Sequence, residues 1–107
     1  MRTYELIPMD NRKSFYNKAF VVCDNYGNEI LFSYGTPVAE ISRDKELTRL
    51  WGGWSATTAR HIDSFCLANG LKRIRKREWE AMETDSEKAR HWVFNAPSLP
   101  SFRAWCW

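Results

Sequence analysis

The chain has 107 residues, 44% of them apolar and 15% aromatic, which is room for one domain with one core. Its 16 basic and 13 acidic residues leave a formal charge of +3, too balanced to make nucleic-acid binding a matter of net charge. Three cysteines without a CxxC pair, and no apolar run at the N-terminus, argue against a disulfide framework, a zinc site, secretion and a membrane span. A cytoplasmic protein with reduced thiols and no cofactor is expected.

In chain order, Tyr4-Glu5-Leu6-Ile7-Pro8 alternates briefly and stops at proline, as an edge strand or ordered arm would. Met9 to Arg12 carries an Asp-Asn turn signal, and Phe15-Tyr16 reads as a helical turn that pins the arm to the core. Ala19–Cys23 and Glu29–Tyr34 are β-prone on either side of Asp24-Asn25-Tyr26-Gly27-Asn28, a hairpin in which Gly27 supplies the positive φ. Gly35-Thr36-Pro37 then marks a bulge or corner, because proline lacks a ladder donor. Strands over Val38–Ser42 and Glu46–Trp51 complete a four-stranded antiparallel meander.

Gly52-Gly53 closes the strands and Ser55 caps a central helix that ends at Asn69-Gly70. Thr58, Ala59, Ile62, Phe65, Cys66 and Asn69 fall on one face at helical spacing and form its buried stripe. Thr57, Arg60, Ser64 and Leu67 then point outward, with His61 on the flank. Five cations follow within six residues, Lys72-Arg73-Ile74-Arg75-Lys76-Arg77, directly before Glu78, Glu80, Glu83, Asp85 and Glu87. Leu71, Ile74, Trp79 and Met82 suit one face of a second helix, Lys72–Glu83. Its charge order runs against the helix dipole, and pairs such as Lys76 with Glu80 offset this by only a few tenths of a kcal/mol. A capping box at Thr84-Asp85-Ser86-Glu87 starts a third helix with Ala89, Trp92 and Val93 inward. The fold class is α+β, a small sheet on a central helix with two further C-terminal helices. The domain spans 1–94, and 95–107 is a Pro/Ser loop with an aromatic tail.

Through Ser33-Tyr34-Gly35-Thr36-Pro37-Val38-Ala39, Arg49-Leu50-Trp51 and Trp54-Ser55-Ala56-Thr57-Thr58-Ala59-Arg60-His61-Ile62, the chain resembles a family of short uncharacterised domains of gut bacteria, phages and mobile elements. The likeness runs from near Tyr4 through Met82, leaving the region after Thr84 outside it. The resemblance brings no chemistry or catalytic residues. It implies a context in which small accessory proteins bind host or phage macromolecules, including as anti-CRISPR-like inhibitors of defence nucleases.

The sequence offers three kinds of candidate site. Thr57 or Thr58 with His61 has the helical spacing of a nucleophile and base, but no carboxylate is placed to orient the imidazole, so an enzyme is not expected. The competing reading has Arg60 pairing with Asp63 or Ser64 and His61 bonding to the neighbouring hairpin. A metal would need His61, His91, Cys23, Cys66 and Cys106 to converge from distant segments, so no metal ligands are assigned. A phosphate-contacting surface gathers more: Thr57, Arg60, His61 and Ser64 outward, then Lys72, Arg73, Arg75, Lys76 and Arg77. The expected partner is nucleic acid or a host nucleoprotein complex. The alternative is a structural module in which Phe102, Trp105 and Trp107 form a homodimer interface.

Overall fold

The computed structural model describes residues 1–10 and 14–96. Five strands form one antiparallel sheet in sequential order: β1 (Arg2–Glu5), β2 (Ala19–Cys23), β3 (Glu29–Ser33), β4 (Thr36–Ile41) and β5 (Leu47–Arg49). Three helices follow, α1 (Ala56–Ala68), α2 (Lys76–Ala81) and α3 (Ser86–Asn95). The class is α+β, with one strand more than the four expected. The N-terminal segment is that strand: β1 pairs with β2 from Arg2↔Cys23 to Glu5↔Phe20, and Leu6 continues the ladder by donating to the Ala19 carbonyl at 2.9 Å.

The sheet is covered on both faces, which explains why β2 and β3 read as apolar runs rather than as alternations. Val21, Leu31 and Ala39 share a cluster with Ile62, Phe65 and Cys66 of α1 and with Trp79 of α2. Phe20, Val22, Ile30 and Phe32 form the other cluster with Leu50 and Trp92 of α3. Of the α3 residues expected inward, Trp92 is buried and Ala89 packs beside it, but Val93 is 60% exposed. The helix starts one residue late for the expected box: Asp85 is the cap, accepting from the Lys88 N–H at 3.0 Å. Thr84 instead bridges to Arg49.

Two turns depart from expectation. Phe15 is buried, but the segment is not helical: Tyr16 (φ 55) and Asn17 (φ 62) form a two-residue left-handed turn closed by Lys18 N–H to the Phe15 carbonyl at 3.1 Å. Between β3 and β4 the turn is likewise only two residues, Tyr34 (φ 52) and Gly35 (φ 84). Both have the sign pattern of a type I′ turn, whose twist matches that of the flanking strands. The left-handed conformation costs a side-chain-bearing residue such as tyrosine about 1–2 kcal/mol. The tight turn lets β4 begin at Thr36, and Pro37 sits inside the strand opposite Phe32, where the register shifts.

The link from sheet to helix is built on Arg49. Its guanidinium donates to the carbonyls of Trp51 (3.0 Å), Gly52 (2.7 Å) and Met82 (2.9 Å) and lies 5.4 Å over the Trp79 ring. The Trp79 indole N–H donates to the Gly53 carbonyl at 2.9 Å. Gly53 is required by space, since a Cβ there would lie 2.5 Å from the Trp51 ring. These turned-back carbonyls end β5 at Arg49, short of the Trp51 expected. Ser55 then caps α1 by accepting from the Thr58 N–H at 3.1 Å. At the far end Gly70 (φ 76) allows Gly70 N–H to reach the Leu67 carbonyl and Leu71 N–H the Cys66 carbonyl, a Schellman closure.

The expected second helix, 72–83, is halved. Leu71 and Ile74 do pack on the core, but from an extended segment, and helix begins only after Arg75. Among the described residues no helix is long and apolar enough to cross a membrane.

Candidate nucleic-acid interface

α1 lies between the sheet and the N-terminal segment, so two of its sides are covered, and the outward set expected from the sequence divides. Thr57 is exposed. Arg60 is half-buried and pairs with Asp10 at 3.4 Å, not with Asp63 or Ser64. Ser64 is buried because its hydroxyl accepts from the Met9 N–H at 3.0 Å, pinning the N-terminal segment across the helix.

His61 is buried as well, at 1% exposure, and belongs to the core rather than to a surface. Its Nδ1 shares a 2.8 Å hydrogen bond with the Ser33 hydroxyl, which is also 3.1 Å from the Thr58 hydroxyl. Phe15 meets the imidazole edge-on at 4.5 Å and Tyr34 lies 5.7 Å away. Burial, and then the like charges of Arg60 and Lys18, push its pKa down from 6.5 to about 4, so the ring is neutral at physiological pH. Ser33 and His61 have the separation of a nucleophile and its base. Both are buried, however, and what they join is β3 to α1.

Among the described residues no group of three or more His, Cys, Asp or Glu side chains could hold a metal ion. Cys66 sits in the apolar stripe as a small hydrophobe, its thiol pushed up to about 12 by burial and by Asp63. Cys23 is half-buried with the Arg2 guanidinium 3.8 Å from its sulfur. Phe102, Trp105, Trp107 and Cys106 lie outside the described residues.

The basic segment emerges intact. Lys72, Arg73, Arg75, Lys76 and Arg77 are all exposed and, with Glu78, line an open basin of about 700 Å³. Arg73 donates two hydrogen bonds of 3.2 Å to Asp63. Lys72, Arg75, Lys76 and Arg77 have no ion pair with any described residue, and the expected Lys76–Glu80 pair does not form. Glu78, the nearest acid, is turned back to accept from the Arg75 N–H at 3.0 Å. The cations are held in place from below: Ile74 and Trp79 anchor the segment on either side, with Trp79 fully buried.

Sequence reasoning missed Asp10 and Asp63 as the partners that occupy Arg60 and Arg73. It also missed Arg49, which reads as an ordinary alternating strand position and carries no local signal of its role.

The fold and this surface describe a small α+β domain with an exposed cationic segment. Residues 4–81 match a family of unknown function, DUF8033, and the chain belongs to that family. No curated protein and no solved structure shows a significant match to the chain.

Proposed function

We propose that the protein is a non-catalytic accessory protein that binds nucleic acid, or a host complex containing it, through the segment Lys72–Arg77. The observation that supports this is four exposed cations within six residues, unpaired and fixed around one basin. Surface charges left without partners add nothing to folding, and they match the spaced anions of a phosphate backbone. Arg73 adds a fifth cation by leaving Asp63, and Thr57 and Arg60 continue the polar surface along α1. In the mobile-element setting that the resemblance implies, such binding serves inhibition of a host defence nucleoprotein.

The test is a salt titration of affinity for a short duplex and a single strand. Four to five phosphate contacts predict a log–log slope of about −3.6 to −4.5 on the duplex and about −2.8 to −3.5 on the single strand, reduced by about 0.9 or 0.7 with each cation removed. A slope near zero, or one that Arg75→Glu leaves unchanged, refutes the reading. The second reading, self-association at the C-terminal end, is favoured by Val93 and Phe94, 60% and 79% exposed on α3. It predicts a dimer in light scattering that removal of residues 102–107 makes monomeric.

A further inference from the structure

The sheet has two edges, and the chain closes one of them. Beyond β5, Asp85 N–H donates to the Arg49 carbonyl at 2.9 Å and Thr84 bridges to Arg49 in parallel, so the segment before α3 lies where a further strand would. Beyond β1, no described residue pairs with the outer side of the strand. Leu6 N–H points inward, to the Ala19 carbonyl, and the direction of hydrogen bonding alternates along an antiparallel strand. The N–H and C=O groups of Thr3 and Glu5 therefore point out of the sheet edge.

Proteins blunt such an edge with charged side chains, prolines or bulges. Here β1 pairs with β2 without a register shift, and the first proline is Pro8. The side chains that would guard the edge are tied back onto the molecule. The Arg2 guanidinium lies 3.8 Å from the Cys23 sulfur, the Tyr4 hydroxyl donates to Glu29 at 3.2 Å, and the Glu5 carboxylate accepts from the Asn17 N–H at 2.8 Å. Met1 and Ile7, which flank the stretch, are 65% and 73% exposed.

This edge is complementary to a second copy of itself. Two copies related by a two-fold axis normal to the sheet pair antiparallel, and each side chain keeps its face, so the axis must pass through a residue. An axis through Arg2 or Glu5 sets like charges opposite one another, which is unfavourable. An axis through Thr3 sets Met1 opposite the Glu5 carboxylate. An axis through Tyr4 sets the Thr3 hydroxyl opposite the Glu5 carboxylate, Met1 opposite Ile7, and the two tyrosines side by side. In that register the outward backbone groups of Thr3 and Glu5 meet across the seam, making about four hydrogen bonds. We infer that β1 pairs with β1 of a second copy about a two-fold axis at Tyr4, making one continuous sheet across a homodimer. Rotation about that axis keeps each face of the sheet on its own side. Both α1 helices, and the basic segments anchored beside them by Leu71 and Ile74, therefore lie on the same face of the dimer. The seam is separate from the basic segment, and the dimer does not depend on what that segment binds.

The experiment is sedimentation velocity of the full chain and its variants over a range of concentrations. The parent should pass from monomer to dimer. Thr3→Pro removes an N–H that β2 does not use, so the variant should fold, as circular dichroism will show, and its dimer should be about 10- to 100-fold weaker for the seam hydrogen bond lost from each copy. Tyr4→Cys reads the register. Residues opposite each other in a non-hydrogen-bonded pair lie about 4.5 Å apart at Cα, within disulfide reach, so mild oxidation should cross-link this variant well above the parent's level. Thr3→Cys, which faces Glu5 of the second copy, should not exceed that level. A parent that stays monomeric at millimolar concentration, a dimer that folded Thr3→Pro leaves equally tight, or a dimer abolished by removal of residues 102–107 overturns the inference. If Thr3→Pro does not fold, Tyr4→Cys decides alone, and cross-linking no greater than in the parent overturns it.

Discussion

Acid should unfold this protein through His61 before it does so through its carboxylates. The imidazole is buried, bonded to Ser33 and held at a pKa of about 4, against an ordinary value of 6.5 in the unfolded chain. The unfolded state therefore binds the proton more tightly. The neutral ring's contribution is fully present above pH 6.5 and is lost as pH falls from there toward 4, below which no more is lost. Each tenfold of proton affinity is worth about 1.4 kcal/mol, so the ceiling is about 3.4 kcal/mol, and about 2 kcal/mol should already be gone at pH 5. Urea unfolding at about pH 7 and about pH 5 reads this directly, in a window where unperturbed carboxylates hardly titrate. His61→Gln retains a partner for Ser33 but has no proton to gain. Its stability should start lower at neutral pH and fall by much less on acidification. Parallel pH dependence in parent and variant would show that the imidazole is not the group being charged, and the assignment of a neutral core histidine would be wrong.

Three further substitutions test the packing on the two faces of the sheet. Gly53→Ala places a methyl group 2.5 Å from the Trp51 ring and should cost about 1–3 kcal/mol in thermal or urea unfolding; a neutral result would mean that the ring is free to move aside. Arg49→Met strips three carbonyls of their donor and should cost about 3 kcal/mol or more by the same assay. Lys88→Met leaves the Glu40 carboxylate, 6% exposed and bonded to Lys88 at 2.8 Å, without its partner. A loss of about 3 kcal/mol is expected, much of it recovered in the double variant Glu40→Gln/Lys88→Met, because the unpaired buried charge carries most of the cost.

The order of strands and helices was legible because the local signals are strong: β-prone runs around Asp24–Asn28, a serine cap at Ser55 and a glycine stop at Gly70. What escaped depends on contacts distant in sequence. The N-terminal segment was legible as an edge strand or arm over Tyr4–Pro8, but its bounds, Arg2–Glu5, and its register against β2 are set by contacts distant in sequence. The helical wheel of α1 assumed one covered side, but the segment ending at Met9 covers Ser64, and Ser33, Tyr34 and Phe15 enclose His61. The helix expected over 72–83 followed apolar spacing correctly, yet the three cations Lys72, Arg73 and Arg75 would stand in its first turn against the helix dipole, and helix begins only after Arg75. That same conflict left the cations of 72–77 exposed, so the part of the candidate surface that survived was the part that local structure could not absorb.

The central claim, that the basin of Lys72–Arg77 receives nucleic acid, is tested most directly by lysine footprinting of the full chain with and without a saturating oligonucleotide. Acylation of Lys72 and Lys76 should fall several-fold in the complex, while Lys88, on the opposite face of the sheet with Glu40, keeps its free-state reactivity. Equal reactivity of Lys72 and Lys76 in both states, or protection confined to Lys88, would contradict the account.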